Sequence, residues 1–265
     1  MYVNRIFFTR QDSPAQAGEQ STAPVQAILG AWRTNGQICG REWPVIQEGS
    51  GYSTVALSPD RDSLEPGFNS RYAAAAIARA ESEGLQVAWQ NLGEDVEASP
   101  GCSCVSPAAY ALFTNYLTLE PAIRCMDCFR PVALYRMTPM DSGEFQELIS
   151  WQSDYQACDS LQMNCAVLER AATREISNVD SSLTKLGRAH CAKLAVSSGR
   201  PFYYYLYRAH GHTYRSEVAR RCPGCGGAWH LAQRLHSLFD FRCDSCQLLS
   251  NIAFDVGASG NAHPW

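Results

Sequence analysis

Two hydrophobic periods alternate along the first ninety residues. Tyr2 to Phe8, YVNRIFF, is strand-like, whereas Val25, Ile28, Leu29 and Trp32 recur at helical spacing in APVQAILGAWRTNG, and Gly36 stands where that helix should stop. EWPVIQ and YSTVALS are short strand-like runs separated by the turn signal EGSG. An alanine-rich helix follows in NSRYAAAAIARAESEG, with Asn69 as the expected cap and Gly84 as the stop, and LQVAWQNL alternates as a last strand. The order β-α-β-β-α-β predicts a ferredoxin-like arrangement, two helices over one face of an antiparallel sheet. That order hosts many functions and selects none.

The pattern changes after the polar stretch GEDVEASPG. Tyr110, Leu112, Thr114, Tyr116 and Thr118 sit two apart and VALYRM, Val132 to Met137, is also strand-like, so a hairpin flanked by cysteines is expected. A helix is predicted with Phe145, Leu148, Ile149, Tyr155, Cys158 and Leu161 on one face, then another from a cap at Asp180 to a stop at Gly199. Pro201 opens the strand FYYYLYR. The expectation is an α+β protein in three parts. Residues 1–95 form the ferredoxin-like domain, 100–200 a mixed region with helices and a thiol-flanked hairpin, and 201–257 a strand plus a small C-terminal metal-binding module.

At 265 residues with 46% hydrophobic content the chain can build ordinary cores. The stretch YAAAAIARA is too short to span a bilayer, and the N-terminus lacks the basic region and cleavage pattern of a signal peptide. Twelve cysteines, several in close pairs, therefore point to metal binding in a reducing cytoplasm and not to a secreted disulfide scaffold.

Cys222, Cys225, Cys243 and Cys246 form two CxxC pairs at the spacing of a zinc ribbon, where two hairpin tips present four thiolates to one Zn²⁺. Pro223 sets the backbone into the first tip and Gly226 can take a positive φ, while Gln247 stands where glycine would be easier in the second. Cys102, Cys104, Cys125 and Cys128, a CxC and a CxxC, are expected to make a second metal site with a tighter bite at one end; the alternatives are buried small hydrophobes or cross-pairing between the two sets. Cys39, Cys158, Cys165 and Cys191 lack ligand spacing and are expected in the core.

Charge singles out the same C-terminal part. Between Lys185 and Cys246 ten Lys and Arg face three acids, a formal +7, which leaves −11 on the rest of the chain. A zinc held by four thiolates carries −2 and lowers the segment to about +5. Arg208, Arg215, Arg220, Arg221 and Arg234, with Tyr214 and Trp229, supply the cations for phosphates and the ring faces for bases that a nucleic acid requires. The same residues also suit a solvated surface or a strand covering a helix.

With these residues in view, the chain resembles an uncharacterised bacterial family of zinc-ribbon-containing proteins described as candidates for nucleic-acid binding. The resemblance rests on GREWP at Gly40, CSCVSPAAYALFTNY at Cys102, CFRPVALYR at Cys128, WQSDYQACDSLQMNC at Trp151, RPFYYYLYR at Arg200, and RRCPGCGGAW with FDFRCDSC. It implies zinc on Cys222, Cys225, Cys243 and Cys246, and no activity. The leading expectation is a non-enzymatic zinc-ribbon protein contacting nucleic acid, without a catalytic residue. The alternative is a protein-interaction module, an adaptor or immunity-type inhibitor with structural zinc. An enzyme built on Asp154, Cys158 and Gln162, spaced i, i+4, i+8, comes third.

Overall fold

Alternating burial of Asn4, Ile6 and Phe8 forms strand β1, Tyr2–Arg10, in a computed structural model that describes residues 1–10, 21–139 and 143–257. Helix α1, Ala23–Asn35, buries Val25, Ile28, Leu29 and Trp32 and ends at Gly36 in the left-handed conformation, as the spacing predicts. The hairpin β2, Ile46–Glu48, and β3, Gly51–Ser58, precedes helix α2, Arg71–Ser82, and strand β4, Leu85–Glu94. The strands pair wholly antiparallel in the order β2-β3-β1-β4. Ser70, not Asn69, caps α2, its hydroxyl accepting from the Ala73 N–H. The Asn69 side chain instead accepts from the Trp32 indole at 3.0 Å and from Gln37 at 3.1 Å. A buried indole needs an acceptor more than an exposed helix end does.

The chain divides into two compact units. The first comprises Met1–Ser103, Thr118–Pro121 and Arg130–Ile149, and the second comprises Cys104–Leu117, Ala122–Phe129 and the chain from Ser150 onward. Within the first unit VALYRM is not a strand. Leu134–Arg136 form a single 3-10 turn, held where Tyr135 donates to Asp60 at 2.8 Å and Arg136 pairs with Asp60 and Asp62.

The second unit is built on a mixed six-stranded sheet. Its strands are β5, Tyr110–Leu112, β6, Ile123–Cys125, β7, Phe202–Leu206, β8, His230–Leu235, β9, Phe239–Cys243, and β10, Leu248–Ser250. They lie in the order β6-β5-β7-β10-β9-β8, with β7 parallel to both neighbours and the remaining pairs antiparallel. The thiol-flanked hairpin exists, but the partner of β5 is Ile123–Cys125. Phe202 to Leu206 are all buried, as befits a central strand with no polar alternation.

Helices α3, Gln146–Asn164, α4, Glu169–Ser177, and α5, Ser182–Ser198, follow the hairpin. Ser181, not Asp180, caps α5, accepting from the Thr184 N–H, and Gly199 ends it as expected. Helix α5 packs on β7 through Gly187, where a Cβ would stand 2.3 Å from the Tyr204 ring and 2.6 Å from the Trp151 indole. Two short helices, α6, Tyr214–Val218, and α7, Phe254–Gly257, complete the described chain. No helix among the described residues is long and apolar enough to cross a membrane.

Candidate metal centres

Two groups of four cysteines could each hold a metal ion. In each group the four sulfurs all lie within 4.8 Å of one another. A tetrahedral zinc with bonds of about 2.3 Å sets its sulfurs about 3.8 Å apart. Cys225 and Cys243 Sγ stand 3.6 Å apart, close to the separation such an ion requires.

The C-terminal group is assembled by two tips. Cys222 and Cys225 lie on a turn before β8, closed by the Gly226 N–H donating to Cys222 O at 2.8 Å and the Cys222 N–H donating to Gly227 O at 2.9 Å. Cys243 ends β9 and Cys246 sits in the turn to β10. Gly224 lets the first tip approach the second, since a Cβ there would stand 2.7 Å from Cys246 Sγ. This close approach was not legible in the sequence. The Cys225 thiol is drawn down to about 7, first by the Gly227 backbone N–H and then by the neighbouring sulfurs. Burial pushes Cys246 up to about 12 and raises Cys243 as well. Four thiolates this close repel one another, and a divalent cation between them removes that repulsion.

The second group places Cys102 and Cys104 ahead of β5 and Cys125 and Cys128 at the end of β6. The Cys102 N–H donates to Pro131 O at 2.8 Å, the Phe129 N–H to Cys125 O at 2.7 Å, and the Asp127 N–H to Cys125 Sγ at 3.4 Å. Its CxxC turn repeats the C-terminal ones. Phe129, Gly226 and Gln247, each following the second cysteine of a CxxC, have φ of +58°, +71° and +52°. A left-handed residue there turns backbone amides toward the sulfurs, and two of the three positions accept that conformation without being glycine.

The cations and rings of the C-terminal segment are distributed unevenly. Glu217 is buried and pairs with Arg208 at 2.8 Å and Arg220 at 3.4 Å, while its Oε2 accepts from the Ala253 N–H. Arg220 also lies over the Trp229 and Phe241 rings, and burial lowers its guanidinium to about 10. Trp229 is buried and donates its indole N–H to Arg220 O. Arg234 pairs with Asp240, and Arg242 with Asp244 and the Tyr203 hydroxyl. Arg215, Arg221 and Tyr214 face solvent.

On α3 the face that turns inward carries Leu148, Trp151, Tyr155, Asp159 and Gln162. Asp154 is exposed, Cys158 is half-buried with its thiol raised by burial, and Gln162 is buried, so the three lie at different depths along α3. Asp159 was missed in the sequence because its neighbours on the same helix are polar. Cys39, pushed up to about 12, and Cys191, pushed higher still, are thiols raised by burial.

Fold and donor sets together define an α+β protein with two four-cysteine groups able to hold metal. Three family profiles match successive parts of the chain, each described as a domain of unknown function: DUF8589 over residues 1–93, DUF2310 over 104–207 and DUF8594 over 211–256. A Haemophilus influenzae relative described as "Uncharacterized protein" is 37% identical over 260 residues, covering 96% of this chain and 99% of the relative. A second protein of that organism, described in the same words, is 39% identical over 167 residues, covering 63% and 82%. The chain belongs to the uncharacterised bacterial family that includes these Haemophilus proteins. No solved structure matches it.

Proposed function

We propose that this is a non-enzymatic cytoplasmic protein with two structural zinc ions, a C-terminal zinc ribbon and a ferredoxin-like N-terminal unit, which binds nucleic acid through its outward C-terminal cations. The repeated left-handed turn after each CxxC carries the zinc reading, because three tips of unrelated sequence share a geometry that suits thiolate ligands. Zinc supplies cross-linking charge here and no reaction step. Four sulfurs fill a tetrahedral shell and leave no open position for an activated water. The strand order β2-β3-β1-β4 with antiparallel pairing supports the ferredoxin-like assignment.

Arg215, Arg221 and Arg234, with Tyr214, form the contact set in this reading. Contact is mainly with phosphates, since Trp229, Tyr203, Tyr204 and Tyr205 are buried and offer no ring faces at the outer surface of the segment. Purified protein should contain two zinc ions per chain. Replacing Arg215, Arg221 and Arg234 by Ala should weaken binding to single-stranded nucleic acid and flatten the salt dependence by about two units of log–log slope. Unchanged affinity and slope in the folded triple variant would overturn the nucleic-acid reading, and fewer than one zinc per chain would overturn the metal reading.

One observation favours a protein partner instead. Arg208 and Arg220 are paired with the buried Glu217, which removes part of the positive field. Recovery of one stoichiometric protein and no nuclease-sensitive material would select that alternative.

A further inference from the structure

A pocket in the second unit lies outside both sulfur groups. It has about 100 Å³ of free space, and its lining includes the rings of Phe113, Tyr155, Tyr205 and Tyr207 together with Asp159 and Gln162. Asp159 is 8% exposed. Its Oδ2 accepts from the Tyr116 N–H at 2.8 Å and its Oδ1 from Gln162 Nε2 at 3.1 Å. Each carboxylate oxygen keeps a further acceptor site. No Lys, Arg or His lines the pocket among the described residues. Burial raises the carboxyl of Asp159 above its usual range against the lowering effect of those two hydrogen bonds, and burial first, with the carboxylate contributing, raises the phenols of Tyr155, Tyr205 and Tyr207.

A carboxylate buried without a counter-charge is costly. A neutral apolar guest would leave that cost in place, and a phosphate or carboxylate would add repulsion. A positive guest removes it, and the aromatic walls attract the same sign of charge through their ring faces. We propose that this pocket binds a small organic cation, an alkylammonium or guanidinium group, with Asp159 as its counter-charge and the tyrosine rings as its walls. The site is independent of the nucleic-acid reading, because its charge is opposite to that needed for phosphates.

Calorimetric titration of the full metal-loaded chain tests this with matched pairs: propylguanidinium against propylurea, and butylammonium against butanol. Each cation should bind at least about tenfold more tightly than its neutral isostere, and Asp159→Asn should remove roughly 10- to 100-fold of the cation affinity, the range of a charge-assisted hydrogen bond. An arginine-containing peptide, run beside free propylguanidinium, distinguishes a partner's side chain from a free small molecule, and preference for either supports the site. Absence of cation binding, equal binding of the neutral isosteres, or undiminished cation binding by folded Asp159→Asn would overturn the proposal. If Asp159→Asn does not fold, the matched pairs on the wild-type chain decide alone.

Discussion

Each of the two units is stabilised internally by its own means. In the first, strands of 9, 8 and 10 residues pair antiparallel, and their inward faces close with α1 and α2 over a core of Ile6, Phe8, Ile28, Leu29, Trp32 and Tyr52. In the second, no strand exceeds six residues and three have only three. Short strands supply few ladder hydrogen bonds and little apolar area each. Each cysteine group includes the end of one of those short strands, Cys125 or Cys243, where a bound metal would hold positions that pairing alone leaves weak. The first unit rests mainly on long strands and an apolar core, and the second places the six CxxC cysteines at, after or just ahead of its short strands, with Cys104 alone from the CxC.

Metal removal tests that contrast with the largest effect. Structural zinc contributes on the order of 10 kcal/mol to folding, so a strong chelator should abolish hydrogen-exchange protection in β9 and β10 while β1 and β3 keep theirs. Equal loss in both sheets would break the contrast. Trp32→Ala is the converse perturbation. It removes a fully buried indole and one of the two donors to Asn69 Oδ1, and should cost the first unit about 3–5 kcal/mol in denaturant unfolding. Gly187→Ala should cost the second unit about 1–3 kcal/mol, because the new methyl overlaps Tyr204 and Trp151 although alanine favours a helix. The smallest expected effect is a gain. Gln247→Gly relieves a left-handed non-glycine residue at the second ribbon tip and should stabilise the zinc-loaded protein by about 1 kcal/mol or less, seen as a small rise in Tm with metal content unchanged.

Much of the first unit was legible because its periods are clean. Val25, Ile28, Leu29 and Trp32 mark one helical face, and Gly36 marks its end. The caps were displaced by one residue, at Ser70 and Ser181, since neighbouring Asn, Asp and Ser all favour a helix start and only the backbone conformation chooses among them. VALYRM has strand-like composition, yet Tyr135 and Arg136 are drawn to Asp60 and Asp62, far away in sequence. The second unit was less legible. Strands of three residues are too short to show a period, and the parallel pairing of β7 with β5 and β10 joins segments that no local pattern links.

The sequence by itself determined which cysteines share a turn, because CxxC spacing constrains two sulfurs to one turn, while the fold decided which pairs meet. The sequence also determined the order of elements in the first unit, through periods that depend only on neighbours along the chain. Tertiary structure decided what the charged and aromatic residues do. Arg208 and Arg220 turn inward to a buried Glu217, Trp229 lies under a guanidinium, and Asp159 faces an aromatic pocket without a cation. A long polar or aromatic side chain has its partner set by whatever the fold brings near it, and composition is the same whether it meets solvent, a ligand or its own core.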